Sequence, residues 1–355
     1  MEPLAIAVVG AGAIGQFDAR EAIKSGAAKI AGVFDVNHHA ARELARSLSS
    51  RFYPSYEELL ESRQTEAVLL AVPHHLHKSM AVEAANRGKH VLVEKPMATT
   101  LEDADEMIAC CKRNHVRLSV NFSLRYLPRN QKAKELIAQG ALGDITGVQI
   151  IAHAFRERGY WIGGRSHSPD DWRASREKSG AGVLFMNVCH VFDYVYCLTG
   201  LKATRVYGEY ATLASPAEVE DIASATCRFN NGSIGSISAS TIMRGTDQIE
   251  ERIWGTHGTL ILRPEGLSFY STRPIDGKRP GKVYTLSKFS DVSCTAEWVH
   301  RFALAVRQES EPEISGKEGW ENLAFILTIG RSLEIGKSLA VPQFTDCHQE
   351  IRHGA

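Results

Sequence analysis

Leu4-Ala-Ile-Ala-Val-Val-Gly-Ala-Gly-Ala-Ile-Gly15 is the stretch on which the fold of this chain turns. Leu4 to Val9 form an unbroken apolar run, the composition of a parallel strand covered on both faces. Gly10, Gly12 and Gly15 then spell GxGxxG ahead of a helix-compatible segment from Gln16 to Ser25. In that setting the glycines serve a tight turn, a close backbone approach to a pyrophosphate, and close helix-to-strand packing. The N-terminus of that helix offers unpaired N–H groups and the positive end of its dipole to phosphates, so Gly10, Gly12, Ala13, Ile14 and Gly15 are the candidate cofactor contacts.

The flanking sequence strengthens that reading. Ile30 to Phe34 is a second apolar run ending in Asp35, twenty residues after Gly15. A carboxylate there accepts hydrogen bonds from an adenosine ribose diol and repels a 2′-phosphate, which favours NAD over NADP. The alternative role for Asp35 is capping a helix that starts near His39. Strand-like segments continue with Glu66 to Val72, Gly88 to Val93 and Val116 to Asn121, separated by helices from Lys78 to Arg87 and from Leu101 to Asn114. Such alternation predicts a Rossmann-type, doubly wound parallel sheet over residues 1–124, with ligands at the carboxyl ends of its strands. Gly12, Asp35, Pro73, His77 and Lys95 fall at those ends. His74, His75 and His77 crowd one turn without a second ligand cluster, so no metal is expected.

Composition bounds the rest. The chain has 355 residues, 44% hydrophobic and 23% charged, with a formal net charge of +0 and no basic block, which points to two globular domains and away from nucleic acid or anionic membranes as partners. Its N-terminus lacks the basic lead of a signal peptide, and the apolar run there is too short to span a membrane, so a cytoplasmic protein is expected. The seven cysteines are scattered without paired spacing and read as reduced thiols.

Residues 125–355 follow a different pattern, that of an α+β substrate-binding and oligomerisation domain. After a helix from Arg129 to Gln139 come strand-like segments at 145–155, 204–213, 221–229, 233–241, 250–254, 259–262 and 267–270, joined by turns such as Asn230-Asn231-Gly232. Consecutive strands with short turns predict a large, mainly antiparallel sheet. Helices at 296–308 and 317–336 are expected to pack back at the junction of the domains.

Two side chains stand out chemically. Lys95, in Glu94-Lys95-Pro96, puts an amine at the end of a parallel strand; the bland reading is a solvated lysine. On a helix from Val183 to Leu198, His190 has Asn187 one turn before it and Asp193 one turn after. A histidine beside a carboxylate accepts protons near neutral pH, whereas on an apolar helix the bland reading is a satisfied core histidine. His153, Arg125-Tyr126 and the Tyr160-Trp161-Ile-Gly-Gly-Arg165 loop could recognise a polyhydroxylated ring, with core packing as the alternative for each.

The chain resembles the Gfo/Idh/MocA family, the glucose-fructose oxidoreductase and inositol dehydrogenase group, over nearly all its length. The matching stretches are Val8-Val-Gly-Ala-Gly-Ala-Ile-Gly15, Ala71-Val-Pro-His-His-Leu-His77, Gly88-Lys-His-Val-Leu-Val-Glu-Lys-Pro-Met-Ala98, Leu136 to Gly143, Asp171-Trp172-Arg173, Ser179-Gly-Ala-Gly182 with His190 and Asp193, and Ile253 to Leu260. The resemblance implies an NAD-dependent oxidoreductase moving a hydride between nicotinamide and a secondary carbinol of a sugar, sugar derivative or cyclitol. It implies that Lys95 and His190 face that carbinol, one as base and the other stabilising the alkoxide, that Glu94, Trp172 and Arg173 lie near the cofactor, and that the open sheet face forms homodimers or homotetramers. One position departs from the pattern: many members carry an aspartate four residues before the histidine, where this chain has Met186 and, next to it, Asn187. Redox-neutral NAD-using sugar chemistry and a non-catalytic sensing role are the alternatives this leaves open.

Overall fold

A computed structural model describes residues 2–163 and 171–345; the Arg165 end of the expected substrate loop lies outside them. The first sheet has six strands in the order β3-β2-β1-β4-β5-β6, all parallel: β1 (Leu4–Val9), β2 (Ala28–Phe34), β3 (Arg51–Phe52), β4 (Ala67–Leu70), β5 (His90–Val93) and β6 (Leu118–Val120). All six residues of β1 are buried, as its unbroken apolar run requires of a strand with helices on both sides. The chain reverses direction across the sheet between β1 and β4, which opens a crevice at their carboxyl ends.

The helices of this half are α1 (Ala13–Lys24), α2 (His38–Ser47), α3 (Tyr56–Glu61), α4 (His77–Asn86) and α5 (Leu101–Arg113). Their ends follow local chemistry. Thr100 caps α5 by accepting from the Asp103 N–H, with acids in the first turn and Lys112 and Arg113 in the last. Helix α3 and the two-residue β3 were not anticipated; Ser55 caps α3 by accepting from Glu58 N–H.

After α6 (Pro128–Ala138) comes the second sheet, nine strands in the order β14-β13-β12-β11-β7-β10-β9-β8-β15. Its members are β7 (Ile145–His153), β8 (Ala203–Ala211), β9 (Ile222–Phe229), β10 (Ile234–Ser240), β11 (Gln248–Gly255), β12 (Gly258–Arg263), β13 (Gly266–Ser271), β14 (Val283–Leu286) and β15 (Leu339–Ala340). Only β7 and β10 pair in parallel, so the expected antiparallel character holds. The edge strands β14 and β15 were not foreseen. The β9–β10 turn is the Asn-Asn-Gly one, with Gly232 at φ +87° and the Asn231 carboxamide accepting from Ser233 N–H.

Along β9 buried and exposed residues alternate strictly. The buried face is covered by α9 (Cys189–Thr199) and α11 (Gly316–Ile335), where Phe192 and Phe325 stack with centroids 3.6 Å apart. Single-turn helices α7 (Arg158–Trp161) and α8 (Arg176–Ser179) precede α9. Residues Arg176–Thr199 are long and apolar enough to cross a membrane, but 78% of that stretch's apolar window is buried, as befits a core helix. Helix α10 (Cys294–Arg307) lies against the first half: Trp298 Nε1 donates to Ser119 Oγ (2.8 Å) and Arg307 holds the Glu66 carboxylate at the head of β4 (2.6 and 2.9 Å).

Candidate active site

The glycine turn has the shape a dinucleotide needs. Gly10 sits at φ +101°, and a Cβ there would lie 2.3 Å from the Ala71 carbonyl oxygen; one on Gly15 would lie 1.9 Å from that of Gly10. Neither position tolerates a side chain, and α1 thereby closes on β1. Gly12 caps α1 without any side-chain bond, and no acid occupies the first turn, so the N–H groups around Ala13 and Ile14 remain directed at an incoming phosphate. Asp35 ends β2 half-buried, its carboxylate accepting from Ala11 N–H (2.6 Å) and Asn37 N–H (2.7 Å). Helix α2 is capped by Asn37, which accepts from Ala40 N–H, so the capping role weighed for Asp35 belongs to Asn37. A carboxylate anchored on the glycine turn keeps free lone pairs for a diol. The residues present fit a dinucleotide.

The Glu94-Lys95-Pro96 step leaves β5 at the same end. The Lys95–Pro96 bond is cis. Lys95 Nζ donates to the main-chain oxygen of Met186 at 3.1 Å, ninety-one positions along the chain. Met186 belongs to a π-turn, Leu184–Val188, that runs directly into α9. The regular helix expected from Val183 to Leu198 is therefore interrupted by wider i→i+5 geometry, which is frequent at functional sites. Glu220 seats this turn: it is fully buried and accepts from Leu184 N–H at 3.2 Å. Gly182 permits the approach, since a Cβ there would lie 1.9 Å from the Glu220 carbonyl oxygen.

His190 follows the π-turn, and its Nδ1 is buried without a hydrogen-bond partner among the described residues. Burial, then the nearby charge of Lys95, hold its imidazole well below the usual histidine range, so it is neutral at pH 7. The expected His190–Asp193 partnership does not form. Asp193 instead takes a bidentate bond from Arg125, Nε and a terminal nitrogen both 2.7 Å from its oxygens. Burial pushes Asp193 up to about 6 while Arg125 pulls it down, leaving an ionised pair at neutral pH.

That pair corrects a second expectation. Arg125 was read as a substrate ligand, but it is buried and its fork is filled by Asp193. Tyr126 is buried as well, with its hydroxyl 3.3 Å from Glu313 and the Arg301 guanidinium over its ring. Both residues brace the junction between the 3-10 turn Ser123–Tyr126, α9 and α10. His77 is a third correction: it is fully buried, and its Nδ1 and Nε2 lie 2.9 and 3.0 Å from the carbonyl oxygens of Pro96 and Val72. It ties the loops after β4 and β5 together and has no nitrogen left for a cofactor.

The remaining expected residues are spread around this crevice. Pro73 opens the turn after β4 and is half-buried. The Trp172 ring packs edge-on against His74 with centroids 4.5 Å apart, and the Arg173 guanidinium lies over Trp172 and Tyr160. His74 Nδ1 donates to Ser179 O at 2.8 Å, which links this group to the turn before α9. Trp161 is buried in a separate apolar cluster with Ala174 and Val219. His153 is half-buried at the end of β7, with Nε2 2.8 Å from Ser238 Oγ. Asn187 is half-buried within the π-turn. Sequence reasoning missed Glu220, Asn121 and Asp18; for Asp18 the signal was an acid on the helix one turn past the glycine fingerprint.

Comparisons with known proteins agree with this fold. Residues 4–122 match the description "Oxidoreductase family, NAD-binding Rossmann fold" and residues 130–261 match "GFO/IDH/MocA C-terminal domain". The chain is 26% identical over 346 residues to myo-inositol 2-dehydrogenase of Thermotoga maritima, spanning 95% of this chain and 98% of that protein. The WlbA dehydrogenase of Bordetella pertussis, solved with NADH and UDP-GlcNAcA, superimposes with a TM-score of 0.82 at 27% identity, covering 97% of this chain and all 100% of that one. Levoglucosan dehydrogenase, solved with NADH and L-sorbose, gives 0.86 at 22% identity over 97% and 100%, a likeness of fold. Matched in both halves, the chain belongs to the GFO/IDH/MocA family of NAD-binding oxidoreductases.

Proposed function

We propose that this NAD-binding oxidoreductase acts on a secondary carbinol of a sugar, sugar derivative or cyclitol, with Lys95 and His190 as its catalytic pair. The observation that carries the reading is the convergence of the Lys95 amine, through the Met186 carbonyl oxygen, on the turn that leads directly into half-buried His190. Bound nicotinamide supplies the hydride chemistry; this chain's residues manage one proton and one developing charge. An imidazole held neutral accepts the hydroxyl proton. The Lys95 amine, oriented by Met186, stabilises negative charge on the carbinol oxygen as the proton leaves. The named relatives act on inositol and carbohydrate-type substrates, and that supports the substrate class.

Asp35 is proposed to take the adenosine ribose diol, and Trp172 with Arg173 to flank the cofactor from the second half. Copies of the chain are proposed to associate through the uncovered face of the nine-stranded sheet, where Tyr207, Ile222 and Ile234 are exposed. A cytosolic setting accords with six described cysteines that are all free thiols. The test is NADH formation measured by absorbance across a panel of sugars, uronic acids and inositols. Turnover with at least one of them is expected; NAD binding without turnover on any polyol would sink the dehydrogenase reading.

A further inference from the structure

Two guanidiniums beside the crevice are left unused by the chain. Arg156 follows β7, three residues past His153, and Arg173 follows Trp172; both are half-buried. They lie over one ring, that of Tyr160, with their Cζ atoms 5.7 and 5.3 Å from its centroid. A guanidinium spread over a ring engages its face and leaves its edge of N–H donors open. The chain takes one of those donors: Arg156 Nη1 donates to the adjacent Phe155 carbonyl oxygen at 3.2 Å. The Arg173 guanidinium makes no hydrogen bond, and neither arginine an ion pair, among the described residues.

Other arginines of this chain have their forks filled by acids: Arg125 by Asp193, Arg301 by Glu297 and Glu313, Arg307 by Glu66. The acids on the flanking segments do not turn to the pair. Asp171 accepts from Gly163 N–H at 2.6 Å, Glu218 from Arg176 N–H at 3.0 Å, and Glu220 from Leu184 N–H. Two like charges drawn to one ring without an acid leave an unbalanced positive field, and their open forks match the oxygens of a carboxylate or a phosphate.

The ring is fixed from two directions. Its neighbour Trp161 is buried against Val219, next to the Glu220 that seats the π-turn. Trp172, with the Arg173 guanidinium 4.6 Å over it, packs on His74, which reaches Ser179 just ahead of that turn. Both arginines are thus tied to the turn on which Lys95 rests. We propose that Arg156 and Arg173 form an anion-binding subsite across the Tyr160 ring, and that the substrate is an acidic sugar or cyclitol bearing a carboxylate or a phosphate ester. This rests on the carbinol-oxidising reading above and narrows it. Arg156, on the segment that continues β7, is the specificity-determining member, since Arg173 also flanks the cofactor.

The test is calorimetric titration of the NADH-loaded full chain with matched pairs: hexuronates and hexose 6-phosphates against their neutral hexoses, and inositol phosphate against inositol. At least one acidic member is expected to bind roughly 30-fold more tightly than its neutral parent, and the arm in which it falls tells carboxylate from phosphate. Raising ionic strength from about 0.02 to about 0.5 M is expected to shrink that ratio, and Arg156→Met to bring it close to one. No preference in any pair, a preference indifferent to salt, or one that survives in Arg156→Met overturns the proposal. So does a fall in NADH affinity of roughly tenfold or more in Arg156→Met, which would give the fork to the cofactor phosphates. Failure of the dehydrogenase reading shows separately, as a charge preference without NADH formation from any acidic sugar, because the titration needs no turnover.

Discussion

The turn after β4 and the turn before α9 each bring a histidine close to the Glu94-Lys95-Pro96 step, and the two use their nitrogens in opposite ways. His77 sits between two carbonyl oxygens and holds two loops together. His190 has an Nδ1 that no protein group meets. Burial depresses both imidazoles, so protonation does not separate them. What separates them is what their nitrogens face: both of His77 lie against main-chain oxygens, whereas His190 is half-buried and its Nδ1 meets no protein group.

That contrast can be broken most directly at the amine. Lys95→Ala is expected to lower kcat by roughly 1,000-fold, with NAD affinity by fluorescence titration unchanged within about threefold. Next comes His190→Gln, expected to lower kcat by roughly 100-fold while leaving urea stability near wild type, because the ring gives up no Nδ1 bond to the protein. A loss of fold in that variant would make His190 a structural residue like His77.

Arg125→Met probes the junction. It leaves Asp193 buried without its partner and is expected to cost about 3–5 kcal/mol in urea denaturation. A rise in KM with stability unchanged would restore Arg125 as a substrate ligand. His77→Leu removes the one N–H that a neutral imidazole donates to the Pro96 and Val72 carbonyl oxygens and should cost about 2 kcal/mol, with kcat of the folded protein preserved.

The smallest effect is acid sensitivity. His77 is lowered from 6.5 to about 4, and His74 and His90 are lowered as well, chiefly by burial. Between those limits the unfolded chain binds more protons, so stability is full above about 6.5 and falls as pH drops toward 4. His77 alone contributes roughly 2 kcal/mol to that loss, read from urea midpoints at pH 7 and pH 4.5.

The sequence made the Rossmann half legible because its signals are local: an apolar run, a glycine turn and an acid at the end of the next strand. The nine-stranded sheet was legible for the same reason, through alternation and turn residues. Its short edge strands were not, since two or four residues carry too little period to register. Lys95 and His190 were recognised as candidates, but their surroundings were not. Arg125 and Asp193 meet across 68 positions, and His77 meets Pro96 across 19; no local pattern encodes either encounter. A π-turn has no residue signature at all, so the helix before His190 read as regular.

The acceptor that Lys95 finds on that turn belongs to the polypeptide backbone. Met186 offers a peptide oxygen, which has no titration and is indifferent to the side chain at position 186, proline aside. Other codon changes at that site leave the contact in place. Otherwise only a change in length removes it: deleting one residue from 184–188 would restore ordinary helical winding and rotate the oxygen away, so this part of the site is guarded against point substitution and exposed to single-residue deletion.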